Sequence, residues 1–183
     1  GKSFGIADDD GNMIVVGSPN SNKCSTSSTY CGIVTVFLYN GTAWNEHEQL
    51  ENPEGAAGSD YFGTNVDVSG SGTRFIVSTN KADARLYVFE KGNDGYYQDN
   101  WVKLAPAGCT CCCDEFGVYA AISGDGNTVV AGRPGDTSDA GSAYIFRYDQ
   151  SSWSQGYSVV SNSGCTYDAF GESVDVNVDG SVI

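Results

Sequence analysis

Few side chains in this chain could do chemistry. Its 183 residues include a single histidine, His47, in the run His47-Glu48-Gln49-Leu50-Glu51. A zinc-protease motif needs a second histidine four places on, and Glu51 stands there instead. No Gly-x-Ser-x-Gly nucleophile turn and no phosphate-binding loop occurs. Acidic groups are plentiful, 23 against 9 basic ones, for a formal net charge of -14. Paired acid–base catalysis needs surroundings that drive two pKa values apart, so abundance alone assigns no catalytic pair. The same excess repels phosphate and excludes a general nucleic-acid binder. The expectation is a non-enzyme without a catalytic set.

Cysteine and asparagine chemistry is more informative. Cys24 and Cys31 bracket a polar stretch, and a bridge between them is expected. The remaining cysteines are Cys109, Cys111, Cys112, Cys113 and Cys165. A zinc site would need separated two-cysteine knuckles, which are missing. Disulfides in an oxidising compartment are the expected state, with the cluster reaching other loops or another chain, and one cysteine left over by the odd total. Asn40-Gly41-Thr42 is an N-glycosylation sequon, placed by the flanking apolar runs in an exposed hairpin turn. Cysteines and sequon together point to a secreted, extracellular or cell-surface protein. No apolar run approaches the ~20 residues of a membrane-spanning helix, so no membrane insertion of this segment is expected.

The elements that carry these residues repeat. Phe-Gly occurs at 62–63, 116–117 and 170–171, a constant spacing of 54. Nine residues after each of those glycines stands another: Gly72, Gly126 and Gly180. Apolar runs follow in register, the second ending in Phe89 and Phe146, and then Trp101 and Trp153. The N-terminus fits the frame with one extra residue: Gly1 aligns with Gly171, Asp10-Gly11 with Asp179-Gly180, and Phe37 and Trp44 take their places. Each period reads as four short strands joined by glycine-rich turns, which points to an all-β fold. Val174 to Val178 alternates apolar and polar residues and is predicted to be a half-buried strand. A four-strand unit repeated at this period is the signature of a β-propeller blade. The expected division is 1–61, 62–115, 116–169 and the start of a further repeat at 170–183. That is about three blades of a larger propeller of six or seven, in a chain that begins and ends inside repeats.

At these residues the chain resembles the FG-GAP repeat family of integrin α-chain-like propellers. Phe-Gly opens each repeat, and Val-Val-Gly-Ser-Pro at 15–19 and Val-Ala-Gly-Arg-Pro at 130–134 stand where the family has Gly-Ala-Pro. The second repeat departs, with Val77-Ser78-Thr79-Asn80 in that place. The resemblance implies a calcium loop in the first hairpin of a repeat. Its best match is Asp175, Asn177 and Asp179, ahead of Gly180. Calcium takes six to eight oxygen ligands, but the ninth loop position is Ile183 and the hairpin is about three residues short on the resemblance. The other reading is the solvent face of an alternating strand entering a turn. No cofactor beyond that calcium is expected.

Variable insertions are the better places for recognition, because loops carry function more often than a repeated scaffold. They are Asn20 to Cys31, Gly92 to Asn100 with Tyr96 and Tyr97, and Gly108 to Glu115. The tryptophans read as packing between blades. The functional expectation is a non-catalytic extracellular propeller segment in protein interaction, adhesion or surface assembly. Its partners would be other protein chains or the rest of the same propeller. Two alternatives are a carbohydrate-binding or polysaccharide-processing propeller, with glycans as ligands, and a calcium-stabilised ligand-binding head.

Overall fold

Short apolar runs separated by glycine turns can bury their faces only by pairing edge to edge and then stacking sheet on sheet. The computed structural model does this three times. It describes residues 1–7, 9, 11–25, 29–55, 59–80, 84–107, 115–136, 140–161 and 167–183. The first sheet contains β1 (Ser3–Ile6), β2 (Met13–Ser18), β3 (Ile33–Tyr39) and β4 (Trp44–Leu50). The second contains β5 (Val66–Val68), β6 (Arg74–Ser78), β7 (Leu86–Glu90) and β8 (Trp101–Leu104). The third contains β9 (Ala120–Ile122), β10 (Thr128–Arg133), β11 (Ser142–Tyr148) and β12 (Trp153–Val160). Each is an antiparallel sheet with its strands in chain order. The first strands β1, β5 and β9 lie next to one another, so the sheets stack side by side around their inner edges.

The middle sheet explains why its strands are apolar throughout. Side chains alternate between the two faces of a strand, and here both faces are covered. Phe75 and Val77 of β6 and Tyr87 and Phe89 of β7 join one core with Met13, Val15, Val34 and Val36 of the first sheet. Ile76, Leu86 and Val88 point the other way, into a second core with Ile122, Val129 and Phe146 of the third sheet. Trp101 and Trp153 pack against these two cores, whereas Trp44 is exposed against Tyr39.

The repeat is visible in the hydrogen bonds. The inner hairpins close with Ser69 N–H to Arg74 O and Ser123 N–H to Thr128 O. The first hairpin closes with Ala7 N–H to Met13 O, one residue wider, as the sequence frame requires. Gly11, Gly72, Gly126 and Gly180 all sit at φ between 63° and 72°, the left-handed conformation that glycine adopts without a Cβ penalty.

The segment after residue 170 differs from expectation. Val174 to Val178 is not a strand. A strand is held by its ladder, and among the described residues these have no antiparallel neighbour. The hairpin itself closes, with Asn177 N–H to Val182 O and Gly180 N–H to Asn177 O, both at 3.1 Å. The segment is nevertheless docked as the second repeat is docked on the first sheet. Phe170 N–H reaches Ala140 O, as Phe62 N–H reaches Cys31 O, both at 3.1 Å.

Candidate functional site

Antiparallel meanders send the connections to two ends. The inner hairpins, the β3–β4 and β11–β12 turns and the loop of residues 91–100 share one end. The connections after the second and fourth strands share the other. Of the three insertions, the described parts of 20–31 lie opposite to 92–100, and residues 108–114 of the third lie outside the described residues.

At the hairpin end the sheets are tied in sequence. Asp9 N–H donates to Gly70 O, Gly70 N–H to Gly124 O, and Asp125 N–H to Val178 O, at 3.0, 2.8 and 2.8 Å. The carbonyls of the three repeated hairpin glycines each accept from a side chain, but from three positions that do not align in the repeat, Arg74 and Arg147 standing on opposite members of the equivalent cross-strand pairs Arg74–Glu90 and Thr128–Arg147. Tyr97 Oη donates to Gly72 O at 2.6 Å, Arg74 Nη1 to Gly126 O at 3.2 Å, and Arg147 Nη2 to Gly180 O at 2.8 Å. No sequence signal marks these donors as equivalent, since the repeat aligns none of them.

The calcium candidates belong to the last of these hairpins. Asp175 Oδ1 accepts Val176 N–H, Asn177 Oδ1 accepts Val182 N–H, and Asp179 Oδ1 accepts Ser181 N–H. Hydrogen bonds from Ser181 hold the Asp179 carboxyl below its ordinary value. The position of Asp175 corresponds to Asp67 in the second repeat. There the carboxylate accepts Val68 N–H and also Ile122 N–H of the next sheet, both at 2.9 Å. Among the described residues no three metal-binding side chains of histidine, cysteine, aspartate or glutamate are gathered.

The loop of residues 92–100 splits its two tyrosines. Tyr97 is 1% exposed and belongs to the first core, its ring tilted 56° against that of Phe75 with centroids 4.8 Å apart. Burial, with the Glu48 charge nearby, pushes its phenol up to about 12. It is therefore a packing residue, and the expectation that it serves in a binding loop is corrected. Tyr96 remains 47% exposed and lies flat on His47, with centroids 4.8 Å apart and planes 10° apart. His47 is not a loose surface residue. It sits at a bulge in β4, because Val36 pairs with Glu48 and Phe37 with Glu46, and its Nε2 lies 3.2 Å from Gly95 O. The Glu48 carboxylate anchors the loop by accepting Tyr97 N–H and Gln98 N–H. Beside Tyr96 is an open polar depression of about 620 Å³ lined by Glu90, Asn93, Asp94, Asp99 and Asn100.

At the opposite end, Cys24 and Cys31 form a disulfide. The loop it closes is held to β4's exit by Ser25, whose N–H and Oγ donate to the Glu51 carboxylate. Tyr30 stacks on Tyr61 with centroids 5.6 Å apart. Glu54 accepts from Lys103 Nζ at 2.6 Å and from Arg85 and Tyr87 at 3.0 Å. Partial burial raises its pKa, but these hydrogen bonds and the charges of Lys103 and Arg85 outweigh that and hold it below its ordinary value. Cys109, Cys111, Cys112, Cys113 and Cys165 lie outside the described residues.

The outer turn at Asn40 has a twin. Asn40 N–H donates to Ala43 O, and Asn40 Oδ1 accepts Thr42 N–H and Ala43 N–H. In the third sheet Asp149 N–H donates to Ser152 O, and its Oδ1 accepts Ser151 N–H and Ser152 N–H. Hydrogen bonds from Ser151 and Ser152 hold the Asp149 carboxyl down at about 2. A carboxyl that titrates lower when folded stabilises the fold above its unfolded pKa, near 4, and loses that contribution as pH falls through the folded value. The Asp149 turn is thus expected to weaken between about pH 4 and pH 2. Asp149→Asn should remove that dependence while keeping the turn, measured by carboxyl NMR titration alongside acid unfolding.

No helix among the described residues is long and apolar enough to cross a membrane. No family profile matches the chain, and no curated protein matches it at a significant level.

Proposed function

We propose that the three sheets are blades of a β-propeller of FG-GAP type, and that the chain is a non-catalytic extracellular scaffold for protein interaction and assembly. The observation that carries this reading is the pair of sheet faces at the ends of the stack. On the first sheet Phe4 is 69% and Ile6 is 42% exposed, where the equivalent Val66 and Val68 of the second sheet are buried. On the third sheet Ala143, Ile145 and Val159 line an apolar cavity of about 540 Å³ beneath the segment that starts the next repeat. Exposed apolar surface of this kind marks an interaction site, and stacked repeats bury such faces against neighbours. Meanwhile His47, Glu48 and Glu54 are engaged in holding loops and strands.

The test is association. The chain should self-associate, or bind sheets of its own kind, in sedimentation velocity at micromolar concentration. Phe4→Asp with Ile6→Asp should make it monomeric. A wild-type chain that stays monomeric and binds no apolar dye overturns the reading. Glycan binding is the second reading, favoured by Tyr96 beside the polar depression. Loss of binding on a glycan array with Tyr96→Ala would support it, and an array without hits would remove it.

A further inference from the structure

The twin turns say what Asn40 adds. Both turns require a side-chain oxygen at their first position, and Asp149 shows that aspartate supplies it. What asparagine brings instead is an amide nitrogen. Asn40 Nδ2 makes no hydrogen bond among the described residues, and Asn40 through Ala43 are exposed. The third residue is Thr42, whose Oγ1 donates to Asn40 Oδ1 at 2.8 Å. Gly41, at φ 91°, puts no side chain in the approach, and nothing lies within 4 Å of where its Cβ would be. An asparagine amide with a hydroxyl residue two places on, no proline between them, and an exposed turn are what an N-glycosylation acceptor presents.

We propose that Asn40 is an N-glycan acceptor and that the glycan marks the hairpin end of the stack as solvent-facing. Protein contact is thereby left to the two sheet faces and to the end carrying the Cys24–Cys31 loop. The co-reactant is an oligosaccharide linked to a polyprenyl diphosphate. Asn40 Nδ2 forms a bond to its anomeric carbon, the bond from that carbon to the diphosphate oxygen breaks, and the diphosphate leaves with the electron pair while one amide proton is released. The proposal rests on the extracellular reading, because the donor is met in the secretory route.

The experiment is to pass the full chain, behind a cleavable secretory leader, through a eukaryotic cell. The secreted protein is treated with a peptide amidase specific for N-glycans in ¹⁸O-water and read by mass spectrometry. The expected result is ¹⁸O-aspartate at position 40 and a loss of apparent mass on treatment. Asn40→Asp should abolish the glycan yet leave the melting temperature within about 2 °C, because the turn keeps its oxygen acceptor; Thr42→Ser should keep the glycan and Thr42→Val should lose it. Unmodified Asn40 in the secreted chain, or a glycan that survives Asn40→Asp, overturns the proposal. The natural chain's location is read separately. If it is confined to a reducing compartment the extracellular reading falls, whereas a bare Asn40 under forced secretion removes only the glycan site.

Discussion

Replacing Gly32 or Gly141 by alanine is expected to lower stability by about 2–5 kcal/mol, a fall in melting temperature of about 5–20 °C for a chain of this size. Both glycines stand just before the third strand of a sheet, at φ 77° and 82°. A Cβ at Gly32 would overlap the backbone O and N of Phe62, and one at Gly141 would overlap those of Phe170. Backbone cannot rotate aside as a side-chain tip can, so the whole docking of the next repeat must shift. Forcing atoms into packed space costs about 1–3 kcal/mol, and the left-handed conformation adds about 1–2 kcal/mol for a residue with a Cβ. Gly55 separates the two contributions. Its φ is 78°, yet nothing lies within 4 Å of a Cβ there, so Gly55→Ala should cost only the conformational part. Urea unfolding of the three variants checks this. Equal losses for Gly32→Ala and Gly55→Ala would show that the close approach of Phe62 carries no weight.

Arg74→Met is expected to cost about 2–4 kcal/mol. The side chain of Arg74 is only 10% exposed and ties the second sheet to the third. Nη1 donates to Gly126 O and, at 2.9 Å, to Asn127 Oδ1, while Nη2 meets Glu90 Oε1 at 2.8 Å. The guanidinium lies over the ring of Tyr148, 3.9 Å from its centroid. Methionine keeps the buried volume but leaves the Gly126 carbonyl and the Asn127 amide without their donor. Lysine should rescue little, since a single ammonium cannot serve the three oxygens and the ring together. A double-mutant cycle with Tyr148→Leu, read by urea unfolding, isolates the ring contact at about 0.5–2 kcal/mol. Full stability in Arg74→Lys would refute the planar-clamp account.

Much of the scaffold was legible from residues alone. Phe62, Phe116 and Phe170 mark a period, and Gly72, Gly126 and Gly180 mark where its hairpins turn, because a left-handed turn is a local demand met by a local residue type. The single added residue before Gly11 was legible for the same reason. Strand character was less so. Val174 to Val178 has the right alternation, but a strand needs a neighbour, and alternation says nothing of whether one is there. Tyr96 and Tyr97 are adjacent in a variable loop and read alike. Only the fold shows that successive side chains face opposite ways here, one into the core between two sheets and one outward onto His47.

Left-handed φ at Tyr61, Glu115 and Ala169, between 50° and 59°, was also invisible. These residues share only their place before Phe-Gly, and beside Tyr61 and Ala169 the backbone is held by docking onto the preceding sheet, through Phe62 N–H to Cys31 O and Phe170 N–H to Ala140 O, against a cost of about 1–2 kcal/mol each. Interactions inside a single repeat set the unit: four short strands, their glycine turns and the Cys24–Cys31 loop. How units join is set by packing between sheets. The carbonyls of Gly72, Gly126 and Gly180 are equivalent, yet Tyr97, Arg74 and Arg147 satisfy them from three positions that the repeat does not align. A buried carbonyl must have a donor, but any side chain long enough to reach it will serve, and reach is a property of the packed sheets rather than of the repeat.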